Sequence, residues 1–62
     1  MKADVQVSRQ GTLFLFNPLT PGAQTWLETR TDGLWYGGAL VVENRYARYL
    51  AQAMLDEGFK VI

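Results

Sequence analysis

The feature that most constrains the fold of this chain is a helix-forming segment whose charges oppose the helix dipole. Residues 44–57 read NRYARYLAQAMLDE and are followed by Gly58, a residue that commonly ends helices. Arg45 and Arg48 fall at its beginning, and Asp56 and Glu57 fall at its end. A helix dipole favours the reverse order, by roughly 0.3–1 kcal/mol for each charge. The pattern therefore predicts that this helix contacts another charged surface.

The same segment has an apolar face and a charged face at about 100° per residue. The apolar face, the predicted core side, consists of Tyr46, Ala47, Leu50, Ala53 and Met54. The charged face consists of Arg45, Arg48, Gln52 and Asp56, with Tyr49 and Leu55 at its edges. Two copies packed antiparallel about a two-fold axis would set the cations of one against the acid of the other, which predicts a homodimer. The alternative is a solvated face neutralised locally by Glu43, since exposed ion pairs contribute only about 0–1 kcal/mol.

The rest of the chain predicts a small sheet and a second helix. Residues 4–8 (DVQVS) and 12–16 (TLFLF) have strand patterns, with a three-residue turn, Arg9-Gln10-Gly11, between them. Thr20 as N-cap and Pro21 at the first position predict a helix to about Arg30. Its inward face would carry Ala23, Trp26, Leu27 and Arg30, with Trp26 in the core.

The remaining segments complete a single domain over residues 1–62, with the order of residues 1–10 left open. Residues 34–42 resemble a strand that Gly37-Gly38 interrupts, either as a bulge or as a loop before a shorter strand at 39–43. Residues 59–62 (FKVI) predict a terminal strand. The predicted fold class is α/β, or α+β, with one sheet of three or four strands and two helices in the order (β)β-α-β-α-(β). Some strand pairs are expected to be parallel.

Composition excludes several classes of function. The chain contains no cysteine and no histidine, which removes disulfides, zinc–thiolate sites and histidine-based catalysis. Asp56 and Glu57 diverge by about 100° on their helix, so they are no catalytic carboxylate pair. We therefore predict no catalytic residues, no metal site, no cofactor and no enzymatic activity. The absence of a long apolar segment predicts a cytoplasmic protein without membrane contact.

The sequence Trp35-Tyr36-Gly37-Gly38 offers a second candidate contact site. Adjacent aromatic residues on a strand point to opposite faces, and Trp and Tyr are enriched at binding hot spots. These two residues would then contact an unidentified protein partner. The alternative is that both rings fill the core of a small domain.

Two other functions remain open. Residues 13–17 (LFLFN) resemble the first ribonucleoprotein motif of RNA-recognition domains, which implies single-stranded nucleic-acid binding by stacking on Phe14, Phe16 and Tyr36. The net charge of zero argues against it, because such sites normally include a basic groove. The other function is that of an accessory subunit that completes a site on a larger enzyme.

The arrangement PLTP (18–21), Trp26-Leu27, GALVVE (38–43) and Arg45-Tyr46 resembles small uncharacterised bacterial proteins from plasmid- and phage-rich gene neighbourhoods. The similarity extends over residues 13–58. It implies a compact α/β fold, a bacterial setting and an accessory or interaction role, and it implies no catalytic residues.

Overall fold

The computed structural model describes residues 2–62, which form one four-stranded sheet and two helices. The elements are, in chain order, β1 (Val5–Gln10), β2 (Leu13–Pro18), α1 (Pro21–Arg30), β3 (Leu34–Tyr36), β4 (Ala39–Glu43) and α2 (Asn44–Asp56). The strand order is β1-β2-β4-β3, and every neighbouring pair is antiparallel. The predicted small sheet with two helices is confirmed. The expectation that some neighbouring strands are parallel is wrong for these four strands. The strands that α1 connects, β2 and β3, run in the same direction, but β4 lies between them.

Both hairpin turns use glycine in a left-handed conformation. β1 extends to Gln10, which pairs with Leu13, so the turn is Gly11-Thr12 and is one residue shorter than predicted. Gly37 and Gly38 have φ of 56° and 83°, as a two-residue type I′ turn requires. They separate β3 from β4, so the predicted loop before a shorter strand at 39–43 is confirmed and the bulge is wrong.

The helix ends follow from local sequence. The Thr20 hydroxyl accepts a hydrogen bond from the Ala23 amide at 3.3 Å and caps α1, whose first residue is Pro21. At the end of α2, the Phe59 amide donates to the Met54 carbonyl and the Gly58 amide to the Leu55 carbonyl, both at 3.0 Å. With Gly58 at φ 95°, this is a Schellman motif, which terminates the helix where the sequence predicts.

Strand register divides the sheet side chains between two faces. Directly opposed residues share a face, which places Phe16 with Leu40, Phe14 with Val42, and Trp35 with Leu40. Both helices cover this face. The buried core consists of Val5, Phe16, Ala23, Leu27, Leu40, Val42, Ala47, Leu50 and Met54.

Of the two aromatic residues predicted to lie on the core side, Trp26 packs against the core without being fully buried, whereas Tyr46 is exposed. Trp26 is half-buried and packs edge-on against Phe59, with ring centroids 5.8 Å apart, and the Arg30 guanidinium lies 5.0 Å from its ring centroid. Its indole N–H is buried without a hydrogen-bond partner among the described residues. Tyr46 is 54% exposed, so its place on the core side of α2 is wrong. It lies at the margin of the apolar stripe, where it lines a cleft with Arg30 and with residues of β4.

Residues near both ends of the described chain meet at the outer edge of β1. The carboxylate of Asp4 accepts hydrogen bonds from the Thr20 hydroxyl at 3.2 Å and from the Lys60 amide at 2.8 Å. Val61 forms a parallel bridge with Val5, in place of the full terminal strand expected at 59–62. Asp4 thus joins the cap of α1, the edge of the sheet and the tail.

Candidate functional site

The face of the sheet that the helices leave bare is largely apolar. We call it the open sheet face; its apolar centre consists of Leu13, Leu15, Leu34, Tyr36, Ala39 and Val41. Leu34 and Tyr36 are 71% and 73% exposed, and no described helix packs on them. Exposed apolar surface of this kind is typical of a contact site.

The open sheet face carries almost no charge. The polar positions that share it through strand register are Gln6, Ser8, Gln10, Asn17 and Glu43. Among these strand positions, only Glu43, at the end of β4, has a charged side chain. A shallow hollow of about 260 Å³ lies over Ala39, between Tyr36 on one side and Ser8 and Leu15 on the other. The surface therefore suits an uncharged, apolar partner.

A second exposed surface lies on α2. We call it the α2 outer face; its residues are Arg45, Arg48, Tyr49, Gln52, Leu55 and Asp56, all exposed. The first turn of α2 contains no acidic residue, the last turn contains no basic residue, and Glu43 at the N-cap makes no side-chain capping bond. Gln52 donates a hydrogen bond to the Asp56 carboxylate at 3.1 Å. The charges thus remain opposed to the dipole and accessible.

The six residues predicted for interaction do not form one surface. Arg45, Arg48, Gln52 and Asp56 share the α2 outer face, whereas Tyr36 lies on the open sheet face, on the opposite side of the molecule. Trp35 points to the helix-covered side and is half-buried against the core. The prediction that the two rings point to opposite faces is confirmed, and the alternative that both fill the core is wrong for Tyr36.

The proposed stacking platform for nucleic acid is also divided. Phe16 is fully buried and Phe14 is half-buried beneath the helices, while Tyr36 faces the other way. The three rings therefore present no common surface on which successive bases could stack.

Sequence reasoning missed most of the open sheet face, including Leu13, Leu15, Leu34 and Val41. The signal was present in LFLF, which is apolar on both sides of β2. Two apolar sides on one strand are typical of a strand covered on both faces, whereas the two helices cover only one.

A cleft of about 350 Å³ lies between the end of α1 and the start of α2. Its charged side chains are Arg30, Asp32 and Glu43. Within residues 2–62, no three acidic side chains are grouped closely enough to hold a metal ion. None of the helices in this part of the chain has the length and apolarity needed to cross a membrane.

Comparison with known proteins gives no match: no family model fits the chain, and no curated protein or solved structure is significantly similar to it.

Proposed function

We propose that this protein is a non-enzymatic interaction module that forms a homodimer through the α2 outer face. The observation that carries the proposal is the exposed gradient of charge along α2, from Arg45 and Arg48 at its start to Asp56 at its end. An antiparallel pair of such helices is self-complementary, as a two-fold interface must be. Each helix then supplies, at the end of its partner, the charge that the partner's dipole lacks.

Tyr49 and Leu55 support the same arrangement. They are 72% and 50% exposed on the surface that carries the charges. Apolar contact by these residues at the centre, with charged pairs toward the two ends, is a typical division of an interface into core and rim.

The proposal is tested by the solution mass at low and high salt. We expect a dimer at about 50 mM salt that weakens at about 500 mM, because exposed charges are screened at that ionic strength. Arg48→Glu should abolish the salt-sensitive association, and Arg48→Glu with Asp56→Arg should restore it. Lys2→Glu is the matched control, since it reverses a charge at an exposed site outside α2. Salt-sensitive association that survives Arg48→Glu contradicts the proposal.

The single-stranded nucleic-acid alternative has weaker support, because Phe14 and Phe16 lie under the helices. Absence of oligonucleotide-induced quenching of tryptophan fluorescence at low salt would eliminate it. The accessory-subunit alternative calls for a partner enzyme, and copurification followed by an activity assay of that enzyme would test it.

A further inference from the structure

We infer that the open sheet face is a second contact surface and that its occupant is the open sheet face of another copy of this chain. The inference goes beyond the proposed function, since it concerns the opposite side of the molecule. It rests on the pairing register, the exposure and the near-absence of charge described above. Either contact can form without the other.

The strand register puts apolar side chains on the face of the sheet that the helices do not cover. A sheet with apolar side chains on both faces is normally covered on both, and β2 contributes Phe14 and Phe16 to one face and Leu13 and Leu15 to the other. The helices bury Phe16 fully and Phe14 in part, whereas on the opposite face Leu13 is 40% exposed and Leu15 is half-buried. A second sheet packed about 10 Å away would cover the two leucines as the helices cover the two phenylalanines.

Charge favours another copy over a charged partner. Among the strand positions of this face, only Glu43 has a charged side chain, and it lies at a corner of the sheet, at the end of β4. Two such faces can meet with their uncharged centres in contact and with each Glu43 at the rim. A nucleic acid or a strongly acidic protein would find no cation on these positions.

Shape also favours self-packing. Leu34 and Tyr36 project from the edge strand β3, whereas small side chains, Ser8 and Ala39, line a hollow on the same face. A projection and a hollow on one surface are the elements that a self-complementary contact needs.

The area of the open sheet face limits the expected affinity of the dimer. Four strands about 4.8 Å apart and about five residues long give a footprint of roughly 20 by 17 Å. Two such footprints total about 700 Å², which is below the roughly 1,200 Å² at which stable specific interfaces begin. We therefore expect a weak dimer that depends on protein concentration and resists salt.

The test isolates this contact in the Arg48→Glu variant at about 500 mM salt, where screening opposes any contact between charged surfaces. Sedimentation from about 10 μM to about 1 mM should show a monomer–dimer equilibrium, since weak association appears in this range. Adding Tyr36→Ser should raise the dissociation constant at least about tenfold, as loss of an interface aromatic typically does. Adding Tyr49→Ser instead should leave it unchanged. These two tyrosines are a matched pair, 73% and 72% exposed, on opposite sides of the molecule.

Amide chemical shifts across the same dilution series provide a second readout that does not depend on any open-face variant. We expect the concentration-dependent shifts to map to β2, β3 and β4 and to leave the outer residues of α2 unchanged. A monomer at every concentration overturns the inference, as does a dimer that Tyr36→Ser leaves intact or shifts confined to α2. The proposed function fails on a different observation, which is salt-sensitive association that Arg48→Glu does not reduce.

Discussion

The two faces of the sheet are built from the same strands and both carry apolar side chains, yet helices cover only one. Phe16 is completely buried beneath the helices, whereas Tyr36 on the other face is 73% exposed. Even adjacent residues differ, since Trp35 packs against the core and Tyr36 does not. The covered face supplies the buried core that stabilises a 62-residue domain, and the open face stays exposed. Substitutions on the covered face should therefore change the stability of the fold, and substitutions on the open face should change self-association.

The largest difference is expected between two neighbours on β2. Phe16→Ala should lower the free energy of unfolding by about 3–5 kcal/mol, because it leaves a cavity in the core. Leu15→Ala, on the open sheet face, should lower it by only about 1 kcal/mol, since its side chain is half-buried. Urea denaturation followed by circular dichroism measures both. Equal losses would mean that the two faces contribute equally to folding.

The next largest loss of stability is expected at Asp4, which links the start of α1 to the edge of the sheet. Asp4→Ala removes the carboxylate that accepts from the Thr20 hydroxyl and the Lys60 amide, and should cost about 1.5–3 kcal/mol, as loss of hydrogen bonds to a charged group does. Asp32→Ala removes an exposed carboxylate and should change stability by less than about 0.5 kcal/mol. Thermal denaturation compares the two variants, and similar melting temperatures would refute the structural role of Asp4.

A smaller effect is expected at the Gly37-Gly38 turn that joins β3 to β4. Gly38 has φ of 83°, so Gly38→Ala should cost about 1–2 kcal/mol, and Gly38→Asn should cost less because asparagine tolerates this conformation. Gly22→Ala is the control. Its new Cβ would lie 3.8 Å from Phe59, in ordinary contact, and stability should not fall. Equal losses at the two glycines would show that backbone conformation is not the cause.

The smallest expected effect is a gain in stability and not a loss. Arg45→Glu places an anion in the first turn of α2 and should raise the stability of the monomer by about 0.3–1 kcal/mol. The same change should weaken the proposed helix-mediated dimer. Denaturation at low salt and low protein concentration measures the first effect, with Lys2→Glu as the control outside any helix. A destabilised monomer would show that Arg45 serves folding and not contact.

Local chemistry explains which elements the sequence predicts. Thr20 and Pro21 specify the start of α1, and Gly58 specifies the end of α2, because these signals act within one helical turn. The Gly37-Gly38 pair allowed a bulge or a turn, and only pairing with β4 distinguishes them.

Long-range pairing explains what the sequence does not predict. The insertion of β4 between β2 and β3 depends on ladders between distant strands, which no local signal records. The open sheet face could not be predicted for a related reason. Leu13 and Leu15 are as apolar as Phe14 and Phe16, so the pattern of β2 alone does not show which pair the helices cover.

The tail along β1 has a consequence for the exchange of amide hydrogens. The Val7 amide donates to the Ile62 carbonyl at 2.8 Å, and the Ile62 amide donates to the Val5 carbonyl at 3.0 Å. These bonds join segments more than fifty residues apart and lie at an edge, so they should open more readily than the central ladder between β2 and β4. The Val7 and Ile62 amides should then exchange faster than those of Phe16 and Leu40. Each opening briefly uncovers unpaired backbone groups on β1, and the exchange rate of these two amides would report how often that edge is free to pair with another strand.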